Sequence, residues 1–161
     1  MSKNIVLAVD AASHDPVRHV VAAAEMTRDL SRDSGDHVIV LHIQEFATGR
    51  FGRIRVDDGA GDAVVEKVVA DLKAAGVSAE GETREANYGH VAAAILHAAE
   101  DHDARMVVLG SHSRTDLPHI PLGSVASRLL HTATRPVLIV PRPDPHAAPA
   151  RSPEAATGEA G

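Results

Sequence analysis

The sequence predicts an α/β fold in which a parallel sheet is covered by helices on both faces. Three observations carry this. Four short apolar runs punctuate the chain, and each is continuous instead of alternating, as a strand buried on both faces requires. Segments with apolar residues at helical spacing separate the runs. The alternation of strand and helix implies parallel neighbours joined by crossovers.

The first strand is Ile5-Val6-Leu7-Ala8-Val9. Asp15-Pro16 then supplies an N-cap and a proline at the first helical position, and Val17, Val20, Val21, Ala24 and Leu30 repeat at helical spacing up to Gly35. The second strand is Val38 to Ile43. Residues Gln44 to Gly61 form a long connection containing Gly and Arg, expected to be a lid, a flexible flap or a partner surface. The next helix begins near Asp62, carries Val64, Val65, Val68, Val69 and Leu72 on one face, and ends at Gly76 as C-cap. Ser78 to Glu85 alternates and reads as an edge strand. A helix after Gly89 turns Val91, Ala94, Ile95 and Ala98 inward. Met106 to Leu109 is the fourth strand, and Ser124 opens a helix with Val125, Leu129 and Leu130. Val137 to Val140 closes the sheet. The prediction is one five-stranded domain over residues 1–142, followed by a disordered Pro- and Ala-rich tail over 143–161.

Composition narrows the function. A chain of 161 residues is one domain with a real core. Its net charge of −6, with two Phe, one Tyr and no Trp, argues against nucleic-acid binding, which wants a basic face and stacking rings. Arg50, Arg53 and Arg55 read as solvated surface. The absence of cysteine excludes disulfides, thiolate catalysis and Cys-ligated zinc. No stretch approaches the ~20 apolar residues of a membrane helix. The amino terminus lacks the apolar core of a signal peptide, so a cytoplasmic location is expected.

In an open α/β sheet, ligands bind beyond the carboxyl ends of the strands, where strand order reverses. Asp10 follows the first strand and Gly110 the fourth. If those strands are neighbours, the two residues face one crevice. The Asp10 carboxylate then accepts from a ribose hydroxyl or an adenine amino group; the other reading is a turn residue or cap. Gly110-Ser111-His112-Ser113-Arg114, with Gly123-Ser124 at a helix start, forms a phosphate cradle of main-chain N–H groups at the positive end of a helix dipole. His112 and His119 are either phosphate donors or solvated loop residues.

Several catalytic and cofactor motifs are missing. There is no G-x-x-x-x-G-K-[ST], and the turn Ala11-Ala12-Ser13-His14 lacks the glycines of a dinucleotide fingerprint. There is no G-x-S-x-G elbow, and nothing replaces the full set of lysine, arginine finger and water-positioning group of phosphoryl transfer, of which Arg114 and Mg²⁺ could supply part. His97 and His102, with Asp101 and Asp103, invite a metal reading, but their spacing does not put the two histidines on one helical face. They read as helix-end or surface groups, as does His131.

The stretch from Val107 through Gly110, Ser113 and Gly123-Ser124 to Pro136-Val137-Leu138-Ile139-Val140 resembles the universal stress proteins, whose ATP-binding branch carries G-x2-G-x9-G-[ST]. Asp10 and Leu41-His42-Ile43 also match that family. The resemblance implies a Rossmann-like sheet of order 3-2-1-4-5, similar to the adenine-nucleotide α-hydrolases. It implies that ATP binds with Mg²⁺. Ala8 and Val9 would line the base pocket, Asp10 would hold the adenosine, and Ile43 would pack on adenine or present its backbone to it. Leu109, Gly110, His112, Ser113, Arg114, Gly123, Ser124 and Val125 would surround ribose and phosphates. It further implies a homodimer through Val137 to Val140. The function implied is that of a stress-response or regulatory module and not an enzyme, with at most slow hydrolysis or self-phosphorylation. One departure stands out: Ser113 replaces the second glycine of the motif, which costs about 1 kcal/mol if that position needs positive φ. Two other readings stay open, a nucleotide-free dimeric interaction protein of the same fold and a weak ATPase.

Overall fold

The computed structural model describes residues 3–10, 16–56, 59–111 and 122–141, with backbone alone for 16–19. The elements are β1 (Asn4–Val9), α1 (Pro16–Ser34), β2 (His37–Gly49), β3 (Gly52–Arg55), α2 (Gly61–Ala74), β4 (Ala79–Asn87), α3 (Val91–Asp101), β5 (Ala104–Gly110), α4 (Ser124–Thr132) and β6 (Val137–Val140). The N-cap Asp15, the turn 11–14 and the tail 143–161 lie outside the described residues.

β1 runs between β2 and β5, parallel to both, with Val9 opposite His42 and Ala8 opposite Leu109. β6 pairs with β5 and β4 with β2, again parallel. The five parallel strands therefore stand in the order β4-β2-β1-β5-β6. A sixth strand corrects the sequence expectation: β3 pairs antiparallel with the far end of β2, Phe46 opposite Arg55 and Gly49 opposite Gly52. The sheet is mixed and not wholly parallel, and the segment expected to be a lid is largely a hairpin built onto the sheet.

Backbone direction shows where this hairpin lies. The Glu45 carbonyl accepts from Val56 N at 2.9 Å, whereas the Phe46 carbonyl accepts from Tyr88 N at 2.8 Å. Successive carbonyls of β2 thus point to opposite edges. β3 occupies the edge on which β1 has ended, and β4 occupies the other.

Because helices cover both faces, alternate residues of each central strand enter different cores, and both must be apolar. Ile5, Leu7, Val38, Val40 and Val108 pack under α1 and α2, against Val20, Ala23, Val65, Val68 and Leu72. Val6, Ile39, Leu41, Val107 and Leu109 pack under α3 and α4, against Ile95, Ala98, Ala126 and Leu129. The small residues of α2 and β4 allow close approach: a Cβ on Gly81 would stand 2.5 Å from Val65 Cγ1.

At the amino-terminal end of the sheet, the buried Asp36 accepts from Lys3 N at 2.8 Å and from the Ser34 hydroxyl at 2.6 Å, and pairs with Arg105 Nε. Burial pushes its carboxyl upward, but the Ser34 hydroxyl, the Lys3 N–H and the Arg105 guanidinium outweigh this and hold it below the usual aspartate range. This cluster stands at the opposite end of the strands from Asp10 and Gly110. Among the described residues, no helix is long and apolar enough to cross a membrane.

Candidate functional site at the carboxyl ends of β1 and β5

β1 and β5 are hydrogen-bonded neighbours, so their carboxyl ends reach the same level. Asp10, exposed, follows β1, and Gly110, half-buried, ends β5. Ser111 N donates to the Val140 carbonyl at 2.8 Å, which ties the start of the next loop to β6. Beneath these positions, Val9 and Leu109 are 6 % exposed and Ala8 is half-buried, giving the crevice an apolar floor.

Ile43 forms one side of the crevice. It lies one residue past the last β1–β2 pair and two before Glu45, so its carbonyl points to the same edge as that of Glu45, beyond the end of β1. Its side chain is buried in the α3/α4 core. The backbone acceptor, not the side chain, is what this residue offers to the crevice.

α4 supplies the other side. A right-handed crossover between the parallel strands β5 and β6 requires the helix to run antiparallel to them, which brings its amino terminus to the carboxyl end of the sheet. Its N-cap is Gly123, with φ −53° and ψ 159°, and among the described residues no side chain caps the first turn. Ser127 N makes the first bond back to the Gly123 carbonyl at 2.9 Å. The N–H groups of Ser124, Val125 and Ala126 precede it and have no intrahelical acceptor. Ser124 is exposed, while Val125 is half-buried against the α3/α4 core. The helix end therefore combines amide donors with the positive pole of the dipole, the requirement for an anion.

Nine of the twelve expected site residues thus belong to one end of the sheet: Ala8, Val9, Asp10, Ile43, Leu109, Gly110, Gly123, Ser124 and Val125. His112, Ser113 and Arg114 lie outside the described residues, as does His119. His42 was not among the expected residues, although a lone imidazole inside the run Val38 to Ile43 is a visible irregularity. It is 3 % exposed, with Nδ1 3.4 Å from the Val9 carbonyl oxygen.

The acidic and histidine residues at the end of α3 form ion pairs. His102 Nε2 meets Glu82 on β4, which also accepts from Arg84 Nε, and Arg84 Nη1 reaches Asp101 at 2.6 Å. Desolvation raises the Glu82 carboxyl, but Arg84 and His102 outweigh it and hold it below the usual glutamate range. Among the described residues, no group of three or more His, Cys, Asp or Glu is placed to hold a metal ion.

Parallel strands in the order β4-β2-β1-β5-β6 with helices on both faces define a Rossmann-like α/β protein. The profile of the universal stress protein family matches residues 1–141, and the chain belongs to that family. The universal stress protein MJ0577 of Methanocaldococcus jannaschii is 40 % identical over 48 residues, a stretch spanning 30 % of each chain. Among solved structures, a universal stress protein from Archaeoglobus fulgidus superposes with a TM-score of 0.66 at 21 % identity, covering 87 % of this chain and 94 % of that one. The Archaeoglobus fulgidus protein in complex with dAMP gives 0.64 at 23 % identity, covering 86 % and 97 %. A family member from Arabidopsis thaliana with AMP bound gives 0.63 at 19 %, covering 87 % and 92 %.

Proposed function

We propose that this protein binds ATP in the crevice at the carboxyl ends of β1 and β5 and acts as a cytoplasmic stress-response or regulatory module without a catalytic cycle of its own. The observation that carries this is the pairing of β1 with β5, which puts Asp10 and Gly110 on adjacent strand ends across from the uncapped start of α4. The bound adenine nucleotides of the Archaeoglobus and Arabidopsis relatives support it.

Each residue then has a task. The Ile43 carbonyl accepts from the adenine amino group, which guanine replaces with an oxygen; this favours adenine. Ala8 and Val9 contact the base, and Asp10 accepts from a ribose hydroxyl. Leu109 supports Gly110, whose small size lets the chain approach the ribose and phosphates closely. The first-turn amides of α4, from Ser124 and Val125 behind the Gly123 cap, bind a phosphate; the family motif assigns His112, Ser113 and Arg114, outside the described residues, to the same ligand. Mg²⁺ suits a site with few carboxylates, because it retains waters and takes oxygens from phosphate; Asp10 and the Ser124 hydroxyl would be its protein oxygens. When bound, the ion neutralises phosphate charge.

The protomers pair through β6. Among the described residues this edge strand has one neighbour, β5, and its Val137, Leu138 and Ile139 remain half-buried. A second copy would satisfy both the open edge and the apolar side chains.

Calorimetry of the nucleotide-stripped protein with Mg-ATP, with Asp10→Ala and Gly123→Val alongside, tests the proposal. Micromolar binding lost in both variants supports the crevice. No heat with the wild type would overturn the nucleotide reading and favour the nucleotide-free interaction protein that Ser113, in place of the motif glycine, also fits.

A further inference from the structure

His42 lies at the junction of three elements. It is 3 % exposed in a strand whose buried neighbours Val40, Leu41 and Ile43 are all apolar. Its Nδ1 stands 3.4 Å from the carbonyl oxygen of Val9, the last residue of β1. A carbonyl only accepts, so Nδ1 bears the hydrogen in this contact. On its other side the ring abuts the first residue of α2: a Cβ on Gly61 would fall 2.1 Å from both Nε2 and Cδ2. Gly61 is therefore glycine because the imidazole takes that space.

The β1–β2 register ends at the pair Val9 and His42. There the Val9 carbonyl closes the ladder against the Ile43 N–H, with His42 Nδ1 as its second neighbour, and the next residue is Asp10. We propose that His42 is a positioning residue for the nucleotide site: its Nδ1–H fixes the Val9 carbonyl, and its ring braces that carbonyl against the first turn of α2. α2 is itself anchored at this point, because the Thr83 hydroxyl on β4 donates to Asp62 at 2.6 Å. A continuous chain of contacts thus runs from the β4 edge through α2 and His42 to the strand end that presents Asp10. The inference rests on the crevice being the nucleotide site.

The two functions of the ring are separable. Asparagine places its amide nitrogen where Nδ1 stands, keeping the donor and losing the brace. Phenylalanine keeps a ring against Gly61 and loses the donor. Three quantities decide: Mg-ATP affinity by calorimetry, hydrogen exchange of the peptide spanning Val9 and Asp10 without nucleotide, and melting temperature. His42→Phe is expected to bind ATP roughly threefold to tenfold more weakly, the loss of one neutral hydrogen bond, and to exchange faster at Val9–Asp10. His42→Asn is expected to melt lower while keeping affinity within about twofold and near wild-type exchange. If the Phe ring prevents folding, His42→Leu takes its place.

Wild-type exchange at Val9–Asp10 in the Phe or Leu variant overturns the proposal, and so does an Asn variant as impaired as either. If the wild type binds no ATP, the nucleotide reading fails on its own, and the exchange measurement still decides the role of His42.

Discussion

The Asp36 carboxylate and the Arg105 guanidinium meet at the amino-terminal end of the sheet, with 4 % of the Asp36 side chain exposed and Nε 2.5 Å from Oδ2. The pair ties the entry of β2 to that of β5, with β1 running between them. Asp36→Ala leaves the Lys3 N–H and the Arg105 charge without their acceptor and is expected to cost about 2 kcal/mol, read as a lower urea midpoint.

The same carboxylate sets an acid limit. Its folded-state pKa lies below the unfolded value of about 3.9, so its contribution is complete above that value. The contribution disappears as pH falls through the lower folded value. Glu82 acts in the same direction. Denaturant titrations from pH 6 down to pH 2 are expected to show stability falling below about pH 4, with a shallower fall in Asp36→Asn, which starts from lower stability. Equal slopes for both proteins would remove Asp36 as the cause.

Gly81 marks where α2 touches β4. Gly81→Ala places a methyl 2.5 Å from Val65 Cγ1, and is expected to destabilise by about 1–3 kcal/mol as α2 shifts outward. Val65→Ala alone also destabilises, by opening a cavity. The double variant should recover part of the sum, since the added methyl fills space that the truncation vacates. Strict additivity in thermal melts would show that the two sites do not touch.

For the crevice, Gly123→Val should weaken Mg-ATP binding at least tenfold in calorimetry while leaving the melting temperature within a few degrees, because Gly123 precedes α4 and its φ of −53° suits any residue. The loss then reports steric exclusion of the ligand and not backbone strain. A matching collapse of the melting temperature would reassign the residue to folding.

For the proposed dimer, Ile139→Lys puts a charge on the half-buried β6 edge and is expected to yield a monomer by light scattering, with the fold intact by circular dichroism. An unchanged dimer would move the interface elsewhere.

The central strands were legible because burial on both faces makes each an unbroken apolar run; β1, β5 and β6 need no other signal. β2 was legible only as far as Ile43. Its continuation, Gln44-Glu45-Phe46-Ala47-Thr48-Gly49, mixes polar and apolar residues, and the two-residue loop Arg50-Phe51 lacks the Asn-Gly or Gly-led signature of a tight hairpin. The hairpin instead has its glycines at the flanking pair, Gly49 and Gly52, the latter at φ +119°. For Asp36, the partners Lys3 and Arg105 stand 33 and 69 positions away, a proximity that only the strand order creates. The shared end of Asp10 and Gly110 was legible because each follows an apolar run, and the β1–β5 pairing brings the two runs together. Gly61 was not, since nothing local shows that an imidazole 19 positions earlier excludes its side chain.

The strand order also gives the molecule a mechanical direction. Within one protomer and among the described residues, β6 is four residues long and bonded along one side, whereas β1 is gripped by a strand on each side. A protein-translocating motor pulling from the carboxyl-terminal side would peel β6 away bond by bond, and the α4 wall of the crevice would follow. Pulling from the amino-terminal side would have to shear two ladders at once. Turnover of this protein by such machines is therefore expected to depend on which end is seized, and a ligand bridging β1 and α4 would slow the carboxyl-terminal route by clamping the part that yields first.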